Sequence, residues 1–175
     1  MMMLQTAVHT LVVNNETDSR RFLSTVNQVI YHNAQRMNSS KNSSLALLDY
    51  EAGCIQLSGQ HEEMLVVRSG GQVERLDTID LGFLLGMIPD ITNLIAHTEV
   101  QLQIGDGVVL YTDGITEAEN QAKEYYGLER LCQVISQNWQ YSANEIRQKI
   151  IEDVRWHIGE NKVYDDITLL VLKQK

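Results

Sequence analysis

Two short acidic stretches carry the residue types best suited to chemistry in this sequence. Asp113, followed by Gly114, stands just after the apolar run 108–111, and Asp165-Asp166 stand directly before the apolar run 167–172. Carboxylates gathered at one rigid edge repel each other unless a cation or a proton relieves them. Oxygen-only ligands suit Mg²⁺ or Mn²⁺, which prefer octahedral oxygen shells and keep several waters. Such ions polarise a phosphoryl oxygen and make water nucleophilic at neutral pH, help that the very slow hydrolysis of phosphate monoesters requires. The same residues also have a plainer reading. Asp-Gly is a common turn signal and aspartate pairs often begin a strand after a loop, so spacing alone leaves both accounts open.

For these carboxylates to meet, runs 108–111 and 167–172 must be antiparallel neighbours, the end of one beside the start of the other. The rest of the chain supplies elements for such a sheet. Met1, Leu4, Val8, Leu11 and Val12 fall at helical spacing with no cap before them, so the chain is expected to open inside a core-facing helix, as a fragment does. A second helix is predicted over 18–37, capped by Asp18, with Phe22, Leu23, Val26, Val29, Ile30 and Met37 on one face. The polar stretch 38–44 reads as a loop. Short apolar runs at 45–50, 54–58, 64–68 and 73–76, punctuated by Gly53, Gly59 and Gly70-Gly71, predict a meander of antiparallel strands. An irregular stretch, 81–90, precedes a strand near 93–102, and Gly105-Asp106-Gly107 forms a turn. Leu128, Leu131, Val134 and Ile135 mark a helix. Ser142 and Glu145 form the capping-box pattern of another, with Ile146, Ile150, Ile151 and Val154 as its buried face. Runs of strands with separate helices indicate an α+β fold with antiparallel pairing.

Composition narrows the function classes. A chain of 175 residues, 43% hydrophobic and 21% charged, fits one globular domain. Its formal charge of −9 disfavours nucleic acid, because a phosphate-backbone binder needs a basic stripe. Neither a signal peptide nor an 18-residue apolar span is visible, so no membrane contact is expected. Cys54 and Cys132 match neither CxxC nor zinc spacing and are expected to be small buried thiols in a reducing, cytoplasmic setting.

The strings around the acidic residues are more specific than their spacing. Leu110-Tyr111-Thr112-Asp113-Gly114-Ile115-Thr116-Glu117-Ala118 closely resembles the "LYTDGxTEA" signature of the bacterial SpoIIE/RsbU-type serine/threonine phosphatases of the type 2C (PPM) class. Gly105-Asp106 matches the "GD" before that strand, and Tyr126-Gly127-Leu128-Glu129-Arg130-Leu131 the "fGxxrL" after it. Asp165 to Leu172 matches the terminal "DDITLLVL". Ser58-Gly59-Gln60-His61 resembles the family's "AGH" turn, shifted by one residue, and Leu85-Gly86-Met87-Ile88 its "LGv" segment.

The resemblance implies an αββα sandwich of antiparallel sheets flanked by helices, with a two-metal site for Mn²⁺ or Mg²⁺. It implies a metal site at Asp113-Gly114, with Asp113 a ligand, Asp166 a second, and Asp165 a ligand or its neighbour. Catalysis would be attack of water on phosphoserine or phosphothreonine, with no covalent phosphoenzyme. The implied substrate is a phosphorylated regulatory protein such as an anti-sigma-factor antagonist. The family's "GDxxD" and "DVxGHG" segments do not occur here. The 175 residues are therefore expected to be one domain truncated before its N-terminal strands, with an incomplete site, little activity and a tendency to self-associate through open sheet edges. A phosphatase fold kept as an inactive binding module is the alternative. His61 is expected in a surface turn, Glu117 as a support for the loop after Asp113, and the Gly82/Gly86 pair as carrying little weight.

Overall fold

The computed structural model describes residues 2–39 and 42–175. Met1, Ser40 and Lys41 lie outside the described residues, and with them the expected place of Met1 on a helix face and the middle of loop 38–44. In chain order the elements are α1 (Met2–Val13), α2 (Ser19–Arg36), β1 (Leu47–Glu51), β2 (Cys54–Ser58), β3 (Met64–Val67), β4 (Val73–Leu76), β5 (His97–Gln101), β6 (Gly107–Tyr111), α3 (Asp113–Thr116), α4 (Leu128–Asn138), α5 (Ala143–Ile158) and β7 (Leu169–Lys173). Every strand pairing is antiparallel, as the α+β reading expects. The chain divides into two compact units: Met1–His61 with Thr78–Gln101, and Glu62–Asp77 with Leu102–Lys175.

The first unit holds α1, α2 and the sheet β1-β2-β5. Asp18 caps α2 as predicted, its Oδ1 accepting from the N–H groups of Arg20 (2.9 Å) and Arg21 (3.1 Å). Phe22, Leu23 and Val26 pack with Leu85, Ile91 and Ile95, and Leu4, Ala7, Val8 and Leu11 of α1 lie against them. Two residues expected on these faces are exposed, Val12 at 59% and Met37 at 63%. Val12 rotates off the stripe, with Ala7 completing it, and Met37 is the C-cap beyond the last turn. Fully buried Asn27 was not expected to face inward. Its Oδ1 accepts from Gly86 N (2.8 Å) and its Nδ2 donates to the carbonyls of Ile88 (3.1 Å) and Pro89 (3.4 Å). A buried amide is tolerated because it is satisfied, and here it fixes the irregular 81–90 stretch that sequence could only describe as irregular.

The predicted four-strand meander does not form. β1–β2 and β3–β4 are hairpins of different sheets, with β2 continuing to β5 and β3 to β6. Gly59 breaks the path at φ +91°, a left-handed conformation that suits glycine. Met64, Leu65, Val66 and Val67 are all buried, so β3 needs a paired neighbour on each side. Gly82 carries more weight than its sequence context suggested. A side chain there would press to 2.7 Å from Gly59 Cα and 2.8 Å from Gln60 N.

The second unit holds the sheet β4-β3-β6-β7 with α3, α4 and α5. Leu131, Ile135 and Trp139 of the α4 segment and Ile146, Ile150, Val154 and Ile158 of α5 pack on Leu65, Val67, Val109, Tyr111 and Val171. The capping box at Ser142 is present, with Glu145 Oε2 accepting from Ser142 N (3.0 Å). Ile151 is only half-buried, and Ile158, four residues beyond Val154, takes the place expected of it. The predicted 167–172 strand begins later, at Leu169, because Thr168 bonds to Thr112 of the β6 end outside the β6–β7 ladder. Neither cysteine is fully buried. Both are free and half-buried, and burial raises the pKa of the Cys132 thiol.

Candidate functional site

The condition set by the acidic residues is met in the second unit. β6 and β7 are antiparallel neighbours whose pairing ends at Tyr111↔Leu169. Beyond that pair, Thr112 stitches the two strand ends together. Its N–H donates to Thr168 O (3.2 Å), its hydroxyl donates to Asp166 O (3.0 Å), and the same oxygen accepts from Thr168 N (3.1 Å). Asp113 then opens the one-turn helix α3, its Oδ1 accepting from Gly114 N (2.9 Å). Across the gap, Asp165 Oδ1 accepts from Asp166 N (2.7 Å). Gly114 is buried against this second loop, where any Cβ would collide with the Asp166 carbonyl oxygen. Gly114 thus sets how closely the two acidic loops approach.

Asp113, Asp165 and Asp166 are all exposed at this edge. As donors they fit a hard divalent cation in kind, being carboxylate oxygens on a rigid support. They fall short in number: among the described residues no group of three or more His, Cys, Asp or Glu side chains is arranged to hold a metal ion. Mg²⁺ gains from every added anionic ligand.

The companion motifs turn out to be scaffolding. Asp106 of the "GD" pair is buried; its carboxylate accepts from Ser69 N (2.8 Å), Gln103 N (3.1 Å) and Arg68 Nη1 (3.2 Å). Burial pushes its pKa up, but the backbone N–H donors and Arg68 outweigh this and hold it below the usual carboxylate range. Gly105 O accepts from Trp139 Nε1 (2.9 Å), fixing the end of α4. In the Tyr126-to-Leu131 motif, Gly127 takes φ +80° as the N-cap of α4. Arg130 grips Asp153 of α5 through Nε (2.9 Å) and Nη2 (3.0 Å), and Tyr126 Oη donates to the same carboxylate (2.8 Å). Burial opposes the ionised form of Asp153, yet Arg130 and Tyr126 leave its pKa lowered.

Sequence reasoning missed three residues that tie down the segment after Asp113. Asp153 is one. His157 Nε2 lies 3.0 Å from Glu124 O, and Asn161 Nδ2 donates to the carbonyls of Glu119 (3.1 Å) and Asn120 (3.0 Å). No spacing announces them; Asp153 and His157 flank the apolar stripe of α5 as ordinary polar neighbours would. Glu117 is exposed, and its N–H donates to Asp113 O (2.7 Å), in keeping with a loop support. His61 belongs to the first unit and serves its turn, with Nδ1 3.2 Å from Ser44 Oγ and its N–H donating to Thr78 Oγ1 (2.9 Å).

The model of the family described as stage II sporulation protein E (SpoIIE) matches residues 1–175. The chain belongs to the SpoIIE family. It is similar to protein IcfG of Synechocystis, 29% identical over 116 residues, which is 66% of this chain and 18% of that protein. The SiaA-PP2C domain of Pseudomonas aeruginosa superimposes with a TM-score of 0.80 at 19% identity, over 99% of this chain and 68% of the other. The RsbU and RsbW domains of a Mycobacterium tuberculosis protein do so at 0.72 and 18%, over 98% of this chain and 46% of that one. These structures share the fold. This α+β chain, with two antiparallel sheets, has the fold of those PP2C and RsbU domains. The chain spans less than a fifth of IcfG. Among the described residues no helix is long and apolar enough to cross a membrane.

Proposed function

We propose that this SpoIIE-family chain is part of a Mn²⁺- or Mg²⁺-dependent phosphatase that hydrolyses phosphoserine or phosphothreonine on a regulatory protein, such as an anti-sigma-factor antagonist. The observation that carries the reading is the stitching of β6 to β7 by Thr112, which brings Asp113 and Asp165-Asp166 to one edge. Asp113 and Asp166 are the residues that hold metal, and Asp165, whose Oδ1 accepts the Asp166 N–H, orients the loop or joins the ligand set. A divalent ion supplies charge stabilisation at the phosphoryl group and lowers the pKa of water. Gly114 keeps the two loops close, and the Arg130–Asp153 pair anchors the helices behind them.

The short ligand count favours a second reading, in which carboxylates from outside these 175 residues complete the set and this stretch alone is a weakly active or inactive module. Phosphate release from a phosphoserine peptide, with Mn²⁺ and with chelator, separates the two. Metal-dependent release abolished by Asp113→Asn establishes the enzyme. Release that survives Asp113→Asn removes Asp113 from the site, and calorimetry showing tight stoichiometric Mn²⁺ binding overturns the second reading.

A further inference from the structure

Asp153 and His157 stand one turn apart on α5, and Asn161 follows just past its end. Each holds the segment after Asp113: Asp153 by the Tyr126 hydroxyl, His157 by Glu124 O, and Asn161 by the carbonyls of Glu119 and Asn120. The held segment is tied in turn to the acidic edge. Tyr126 N donates to Ala118 O (2.9 Å) and Gly127 N to Thr116 O (2.9 Å), while Asp113 O accepts from Glu117 N (2.7 Å) and the Thr116 hydroxyl (3.3 Å). Of these three holds, one rests on a group that changes charge near neutral pH. Asp153 keeps its lowered pKa and burial raises that of the Tyr126 phenol. Histidine is the side chain that ordinarily titrates between about pH 5 and 8.

The partners of His157 leave it one form. Nδ1 lies 3.2 Å from Arg130 Nη1, and a guanidinium only donates, so Nδ1 must accept. Nε2 lies 3.0 Å from the Glu124 carbonyl, which only accepts, so Nε2 must carry the hydrogen. An imidazolium carries N–H at both nitrogens and would set donor against donor at Arg130. Around the ring, Arg130 of α4 opposes a positive charge, and Asp153, four residues back on α5, favours it. The Tyr126 ring packs against it with centroids 5.5 Å apart, and the Glu124 carboxylate is engaged by Asn120 Nδ2 (2.9 Å). A protonated ring must therefore swing from Arg130 toward Asp153, and Nε2, on the same rigid ring, leaves Glu124 O with it. The fold keeps its balance of charge while the segment loses a hold. We infer that neutral His157 is a positioning residue for the segment after Asp113, and that its protonation loosens residues 119–126 and the acidic edge tied to them. The consequence for activity rests on the phosphatase reading; the hold itself does not.

The test is nuclear magnetic resonance on the ¹⁵N-labelled 175-residue chain at about pH 8 and 5.5, beside His157→Gln and His157→Phe. Imidazole nitrogen shifts should show the Nε2–H tautomer at the higher pH. Amide exchange at Glu117, Asn120 and Tyr126, corrected for its intrinsic pH dependence, should quicken about tenfold at the lower pH, the scale of one lost hydrogen bond. His157→Gln keeps a donor and an acceptor without a charge, so it should protect these amides at both pH values. His157→Phe should expose them at both. The amides of Val108 and Val109, inside the β3–β6–β7 ladder, should not respond, which separates local release from general unfolding. An Nδ1–H tautomer, or exchange that follows pH equally in His157→Gln, overturns the inference. Mn²⁺-dependent phosphate release from a phosphoserine peptide judges the phosphatase reading separately. Between the two pH values the unsubstituted chain should lose about tenfold more of that release than His157→Gln does, and an equal loss overturns the link to the edge.

Discussion

Single residues at the acidic edge have separable jobs, so their substitutions should fail in different ways. On the proposed metal-dependent reading, Asp113→Asn and Asp166→Asn remove a negative ligand without changing shape. Each should cut Mn²⁺-dependent phosphate release by more than about 100-fold, beyond the 10–100-fold typical of groups that only support a ligand. Asp165→Asn keeps an oxygen able to accept from Asp166 N, so a smaller loss there would mark it as an orienting group rather than a ligand. Gly114→Ala acts by sterics. Its methyl group meets the Asp166 carbonyl, so the variant should lose about 1–3 kcal/mol in urea unfolding and lose activity even though no carboxylate is altered. Sequence motifs pointed to all four positions. They did not reveal that glycine is there for clearance, because a close approach of two segments so far apart leaves no mark in either one.

Among the elements, β2, β4, the cap of α2 and the capping box of α5 could be read almost to the residue, since each depends on a local pattern. The meander could not, because whether β2 pairs with β3 or with β5 is decided by packing and by the turn at Gly59, and alternation within a strand is blind to its partners. The α4–α5 clamp was equally hidden. Arg130 is in a motif, but its partner Asp153 lies on another helix. Asp153→Ala should cost about 1–3 kcal/mol, since it leaves the part-buried Tyr126 hydroxyl and Arg130 without their acceptor. A double-mutant cycle with Tyr126→Phe, read by denaturant melts, should show coupling between the two. Edges of the sheets offer another check. Among the described residues β1 pairs only with β2, and a strand with one open side invites a second copy. Light scattering over a concentration series should show self-association, and a clean monomer at high concentration would exclude it.

Across the whole molecule the charge balance predicts the response to acid. Asp106, Asp153 and Glu74 all have lowered pKa values, the first two despite burial and each with an arginine partner. A carboxylate depressed in the folded state stabilises the protein above its unfolded pKa, about 4, and that stability is lost as pH falls through the folded value. Melting temperature should therefore be flat above about pH 5 and drop steeply below 4. Asp106→Asn should be less stable at pH 7 and show a shallower acid slope. The stitch between Thr112 and Asp166 has one more consequence, which concerns time. It joins residues 54 positions apart, with both long helices of the second unit between them. During synthesis α4 and α5 can form from local contacts while β6 still waits for β7. The acidic edge is thus assembled late, and a nascent chain can hold folded helices for some time before that edge exists.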